Sequence, residues 1–116
     1  MDMNRLALEA AEMQSSPSLG HFELFEDTRH SADSWERYFW KGRIHTGHEV
    51  TARYMRQYPR HSLRITVDPK ISTHHRFDNG NLCMWLPSEW SPNFTAATAI
   101  GITIKFLQEH SEGITG

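Results

Sequence analysis

A chain of 116 residues with a formal net charge of −2 is the size of one compact domain, residues 1–116, and offers no global electrostatic attraction to nucleic acid or an anionic membrane. Its single cysteine excludes an intrachain disulfide and fits a reducing compartment. The opening stretch MDMNRLALEAAEMQ mixes acidic and basic residues without an apolar core, and no apolar run is long enough to span a bilayer, so a cytoplasmic protein is expected.

In chain order, residues Asn4 to Gln14 set Leu6, Leu8, Ala10, Ala11 and Met13 among strong helix formers before SSPSLG breaks the pattern, which predicts an N-terminal helix. Three stretches rich in aromatic and β-branched residues follow: HFELF, SWERYFWKGRI and EVTARYM. In the third, Val50, Ala52 and Tyr54 alternate with Thr51, Arg53 and Met55, the period of a half-buried strand. SLRITV adds a fourth strand, with Leu63, Ile65 and Val67 on one face and Arg64 and Thr66 on the other. An antiparallel meander is the economical arrangement. After Ser91-Pro92 the apolar positions Ala97, Ile100, Ile104 and Leu107 share one face at helical spacing, which predicts a closing helix despite Gly101 and several β-branched residues. The fold class expected is therefore α+β: helix, four-stranded antiparallel meander, an irregular segment of about twenty residues, and a helix.

That irregular segment holds the chain's only thiol, in HHRFDNGNLCMW. Asp78-Asn79-Gly80 can turn tightly, because Gly80 accepts positive φ and the two Asx side chains can bond the local backbone, while Leu82 and Trp85 can pin the stretch down. A lone cysteine is commonly a small buried hydrophobe. The residues around this one argue otherwise.

From Tyr58-Pro59 through RITVDPKI, NGNLC and WSP to the closing helix, the chain resembles the ubiquitin-conjugating enzymes. That family shows a Tyr-Pro turn, a strand, a His-Pro-Asn segment, Asp-Gly-x-Ile-Cys with the catalytic cysteine, and Trp-Ser-Pro before the second helix. Tyr58 to Cys83 lies on this pattern without a gap, and the interval from Cys83 to Trp90 is about one residue shorter. The resemblance implies a catalytic Cys83 that takes an acyl group as a thioester and yields it to an amine, so that one hard step becomes two easier ones. A free thiol has a pKa near 8.5, so only about a few per cent is thiolate at neutral pH unless neighbours help. Thr73-His74-His75 stands where the family has His-Pro-Asn, so His75 holds the position of the oxyanion-supporting asparagine. An imidazole N–H can donate to a developing oxyanion as an amide does, or relay a proton, and His74 is an adjacent candidate. Family members use an acidic residue near the end of the second helix to assist the incoming amine; Glu112 is the nearest candidate here, with Glu89 behind it.

The chain ends soon after the second helix, so a compact bacterial branch without the C-terminal helices of eukaryotic members is the closer comparison. Members of that branch occur in antiphage (CBASS-type) operons, which implies as acyl donor the C-terminal glycine of a ubiquitin-like protein or of a cGAS-like nucleotidyltransferase, with an activating enzyme as a further partner. Family members dock that enzyme through an N-terminal helix that is often basic; here the helix carries Arg5 against Glu9 and Glu12.

Two other classes compete with this reading. One is a non-catalytic module of the same fold that binds a protein tail, although such variants lack the cysteine. The other is a cysteine hydrolase with His75 as base, which lacks an orienting carboxylate at a motif spacing. No cofactor is expected. Eight histidines raise a metal site, but there is no second cysteine and no His-x-x-x-His pair on the closing helix, so none is expected. Trp35, Trp40, Trp85 and Trp90 read as core and lid residues, and Arg53, Arg56, Arg60 and Arg64 as a solvated sheet face that could alternatively receive an acidic tail or RNA.

Overall fold

The computed structural model describes residues 2–68 and 90–110. Helix α1 spans Met3–Ser15 and is capped by Asp2, whose carboxylate accepts from the Asn4 and Arg5 amides. Strands β1 (Glu23–Glu26), β2 (Tyr38–Arg43), β3 (Glu49–Arg53) and β4 (Arg64–Asp68) form a four-stranded antiparallel sheet in sequential order, and helix α2 spans Ala96–His110. The expected helix, meander and helix are all present in the expected order.

Register follows from which side chains must be dry. Leu24 pairs with Trp40, Trp40 with Ala52 and Ala52 with Ile65, so one inward row crosses the whole sheet. Val50, Tyr54 and Val67 extend that inward face, and α2 lies against β3 with α1 packed on α2. The outward face is polar and aromatic. Phe25 stacks on Phe39 with centroids 5.4 Å apart, and the Arg53 guanidinium sits 4.4 Å from the centre of the Phe39 ring. A charged side chain thus covers an aromatic one, and the arginine is also drawn toward Asp27, 3.7 Å away.

Local deviations from the expected elements have physical causes. Trp35–Arg37, expected to begin the second strand, forms a turn of 3₁₀ helix capped by the Ser34 hydroxyl. That turn drives Trp35 inward against Tyr54 and Tyr58, at centroid distances of 4.7 and 4.8 Å. The β2–β3 connection closes through Gly47, whose φ of 94° lies where a side chain is disfavoured, and the Ile44 amide donates to the His48 carbonyl. Helix α2 starts at Ala96, later than the expected start after Ser91-Pro92, because Ser91 closes a turn onto the Asn93 and Phe94 amides and Thr95 takes the capping position.

Candidate functional site

The second helix and the strands are joined by an acidic side chain inside the core. Leu6, Glu9 and Met13 recur at helical spacing and form the buried face of α1, so Glu9 is carried inward with its apolar neighbours and is fully buried. Burying a carboxylate costs several kcal/mol unless its oxygens are bonded and its charge is matched. Both conditions are met. Oε1 accepts from the Tyr54 hydroxyl at 2.7 Å and from the Ala96 amide at 3.0 Å, the first amide of α2. Oε2 accepts from the Tyr58 hydroxyl at 2.5 Å and from Arg5 Nε at 2.7 Å. Trp40 Nε1 donates to the Tyr54 oxygen, which ties β2 into the same network.

Each partner is tuned by this arrangement. Burial first, then the Glu9 charge and the hydrogen bond to it, pushes both the Tyr54 and Tyr58 phenols well above the ordinary tyrosine range, so they act as fixed donors. Burial works against the Arg5 charge, but its bonds to Glu9 and Tyr58 outweigh that and hold the guanidinium above its ordinary value. Arg5 and Glu9 of α1 thus pair on its inward side, while Glu12 stays exposed and accepts from Thr95.

The network brings two motif segments into contact across 31 positions. Trp90 Nε1 donates to the Pro59 carbonyl at 2.7 Å, and the Tyr58 and Trp90 rings lie 6.1 Å apart. The Tyr58-Pro59 peptide bond is cis. Phe94 packs edge-on to Trp90, and Arg5 Nη2 donates to the carbonyls of Pro92 and Phe94, at 3.0 and 2.7 Å. The Tyr-Pro and Trp-Ser-Pro elements of the family pattern are therefore one packed unit.

The chain leaves the sheet at Asp68, on the edge strand β4, and is described again from the buried Trp90. Cys83, His74, His75, Glu89 and Glu112 lie outside the described residues, as do the Asn79-Gly80 turn and Trp85. Glu9 and Arg5 were not singled out as site residues from the sequence. The signal was there: a glutamate spaced three residues after Leu6 and four before Met13 interrupts an otherwise apolar stripe. Elsewhere, an open groove of about 330 Å³ is lined by His21, Ile44, His45, Ile104 and Gln108 among others, but its two histidines are engaged, His21 with the Arg43 carbonyl and His45 with Gln108. Among the described residues no three His, Cys, Asp or Glu side chains converge as a metal site would need, and no helix is long and apolar enough to cross a membrane.

Comparison of the sequence with models of known protein families and with curated proteins returns no match. Comparison of the structure does: the human ubiquitin-conjugating enzyme E2 G1 is similar over 90% of this chain and 92% of that one, with a TM-score of 0.55 and 18% identity. At that identity the likeness is one of fold, and the fold of this chain, an N-terminal helix, a four-stranded antiparallel sheet and a following helix, is ubiquitin-conjugating-like.

Proposed function

We propose that the chain carries an acyl group as a thioester on Cys83 and transfers it to an amine, with His75 as the oxyanion donor and Glu112 or Glu89 assisting the amine. The observation that carries this reading is the seating of Trp90, which opens Trp-Ser-Pro, on Tyr58-Pro59 within a ubiquitin-conjugating-like fold, the two motifs bracketing in sequence the stretch that holds the only cysteine. In chemical terms the Cys83 thiolate attacks the carbonyl of an activated C-terminal glycine, the activating group leaves with the bonding electrons, and the new thioester is then attacked by an amine that displaces the thiolate. The donor proposed is a ubiquitin-like protein or a cGAS-like nucleotidyltransferase, charged by an activating enzyme, in a cytoplasmic antiphage setting. That donor is what the resemblance to the compact bacterial branch implies.

The test is adduct formation with the purified donor and activating enzyme. Wild-type protein is expected to form an adduct that thiol removes on a gel, and Cys83→Lys or Cys83→Ser one that thiol leaves intact. His75→Ala should slow transfer by about 10²-fold with the fold unchanged, as loss of an oxyanion donor does. A Cys83→Ala protein that supports function as well as wild type would transfer the reading to a tail-binding module.

A further inference from the structure

On the outward face of the sheet, acids answer bases in two of the cross-strand rows: Glu23 stands opposite Lys41, and Arg43 opposite Glu49, itself opposite Asp68. The third row reads Phe25, Phe39, Arg53, Arg64 across all four strands and holds no acid. Arg53 and Arg64 are direct cross-strand neighbours, an arrangement that like charges disfavour. Asp27 approaches Arg53 to 3.7 Å, but both of its oxygens already bond Arg29, at 2.9 and 2.8 Å. Arg64 is exposed and has no ion pair among the described residues. The stretch from Arg53 to Arg64 also carries Arg56 and Arg60, both exposed, and no Asp or Glu. A chain of net charge −2 therefore has a strongly positive edge at this end of its sheet.

The same row is aromatic at its other end. Phe25 is 38% exposed and lies nearly parallel to Phe39, the planes 15° apart, while Lys41 Nζ stands 5.9 and 6.0 Å from the two ring centres. We propose that this row, from Phe25 through Phe39 and Arg53 to Arg64, with Arg56 and Arg60 on the adjoining connection, binds single-stranded nucleic acid, its bases stacking on the rings and its phosphates pairing with the arginines. Every base has a face that stacks on a phenyl ring or a guanidinium plane, whereas a duplex hides those faces. An acidic polypeptide would answer the arginines but leave the ring pair without a role. The row crosses three interstrand gaps, roughly 14 Å, which is room for a few nucleotides. This surface is separate from the thioester reading and stands or falls without it.

The experiment is fluorescence anisotropy of labelled oligouridylate and oligothymidylate, each of about 12 nucleotides, titrated in parallel with the full chain so that RNA and DNA are told apart. At about 50 mM salt at least one is expected to bind with a Kd of about 1–100 μM, and the logarithm of the affinity should fall against that of salt with a slope of about −2 to −3. Three variants locate the site. Arg64→Glu, which sets an opposite charge across from Arg53 and so spares the sheet, should weaken binding by about tenfold or more and flatten the salt slope by about one. Phe25→Leu keeps apolar cover but removes the ring, and should weaken binding by about fivefold or more. Lys105→Glu makes the same change of net charge on the exposed side of α2, the helix that packs on the sheet's inner side, and should stay within about twofold of wild type. No anisotropy change for either strand up to about 500 μM protein would overturn the inference, since that lies beyond the usual range of non-specific binding. So would equal losses in Arg64→Glu and Lys105→Glu, or wild-type affinity in a folded Phe25→Leu. Polyglutamate or a duplex of the same length displacing the probe as well as the unlabelled strand does would overturn it too, the first in favour of an acidic protein partner. Where Phe25→Leu does not fold, the contrast between Arg64→Glu and Lys105→Glu decides.

Discussion

Gly42 leaves no room for even a methyl group. A Cβ at that position would lie 2.7 to 2.8 Å from three atoms of the Phe22 ring, and Phe22 is itself buried. The contact involves the base of the ring, so rotating the ring about its own axis does not relieve it. Gly42→Ala is expected to destabilise the domain by about 1–3 kcal/mol, the usual range for overpacking a tight core, read as a lower urea midpoint with an unchanged slope. Glu9 is the opposite case, a residue whose identity looked ordinary and whose setting does not. A helix pattern shows which face a glutamate shares; it cannot show that two tyrosines from beyond the third strand and an amide 87 positions away will meet it there.

At the scale of elements, most of the sheet was legible because its alternation is strict: Val50, Ala52, Ile65 and Val67 are buried and Arg64 is exposed. The closing helix was legible as a stripe, though the buried face is broader than expected. Ile100 and Leu107 are fully buried as the spacing implied, but so are Ala96, Ala99 and Thr103, whose hydroxyl is satisfied by the Ala99 carbonyl. Its start was not legible, because beside the local Ser91 turn and Thr95 cap it is held by side chains remote in sequence: Glu9 takes the first amide and Arg5 the carbonyls just before it. Of the candidate site, the motif residues were legible in the sequence but their meeting was not: no spacing shows that Trp90 will donate to the Pro59 carbonyl 31 positions away. Gly101, which weakened the helical reading, is exposed on α2, and a Cβ there would meet nothing within 4 Å. Gly101→Ala should therefore stabilise the domain by about 0.5–1 kcal/mol, by removing freedom from the unfolded chain, and thermal unfolding with an unchanged transition shape would show it.

At the scale of the molecule, the two buried phenols tie stability to alkaline pH. Both are held protonated above the ordinary tyrosine value near 10, so above that pH the unfolded chain releases protons that the folded chain keeps. Stability is fully present below about pH 10 and falls as pH rises beyond it, by about 2.7 kcal/mol per pH unit when both groups titrate in the unfolded state. Urea midpoints measured from roughly pH 8 to 12 should show that fall, and the Tyr54→Phe, Tyr58→Phe double variant should start lower but lose most of the slope. A midpoint as flat in wild type as in the double variant would separate these hydroxyls from the alkaline transition. The same carboxylate has a consequence for biosynthesis. Translation makes Glu9, Arg5, Tyr54 and Tyr58 well before the α2 amide from which Glu9 also accepts, so enclosing that acid early would desolvate a carboxylate one bond short of its full set. Completion of the interior therefore waits until the ribosome has delivered both helices, and the domain locks late rather than growing from its front end.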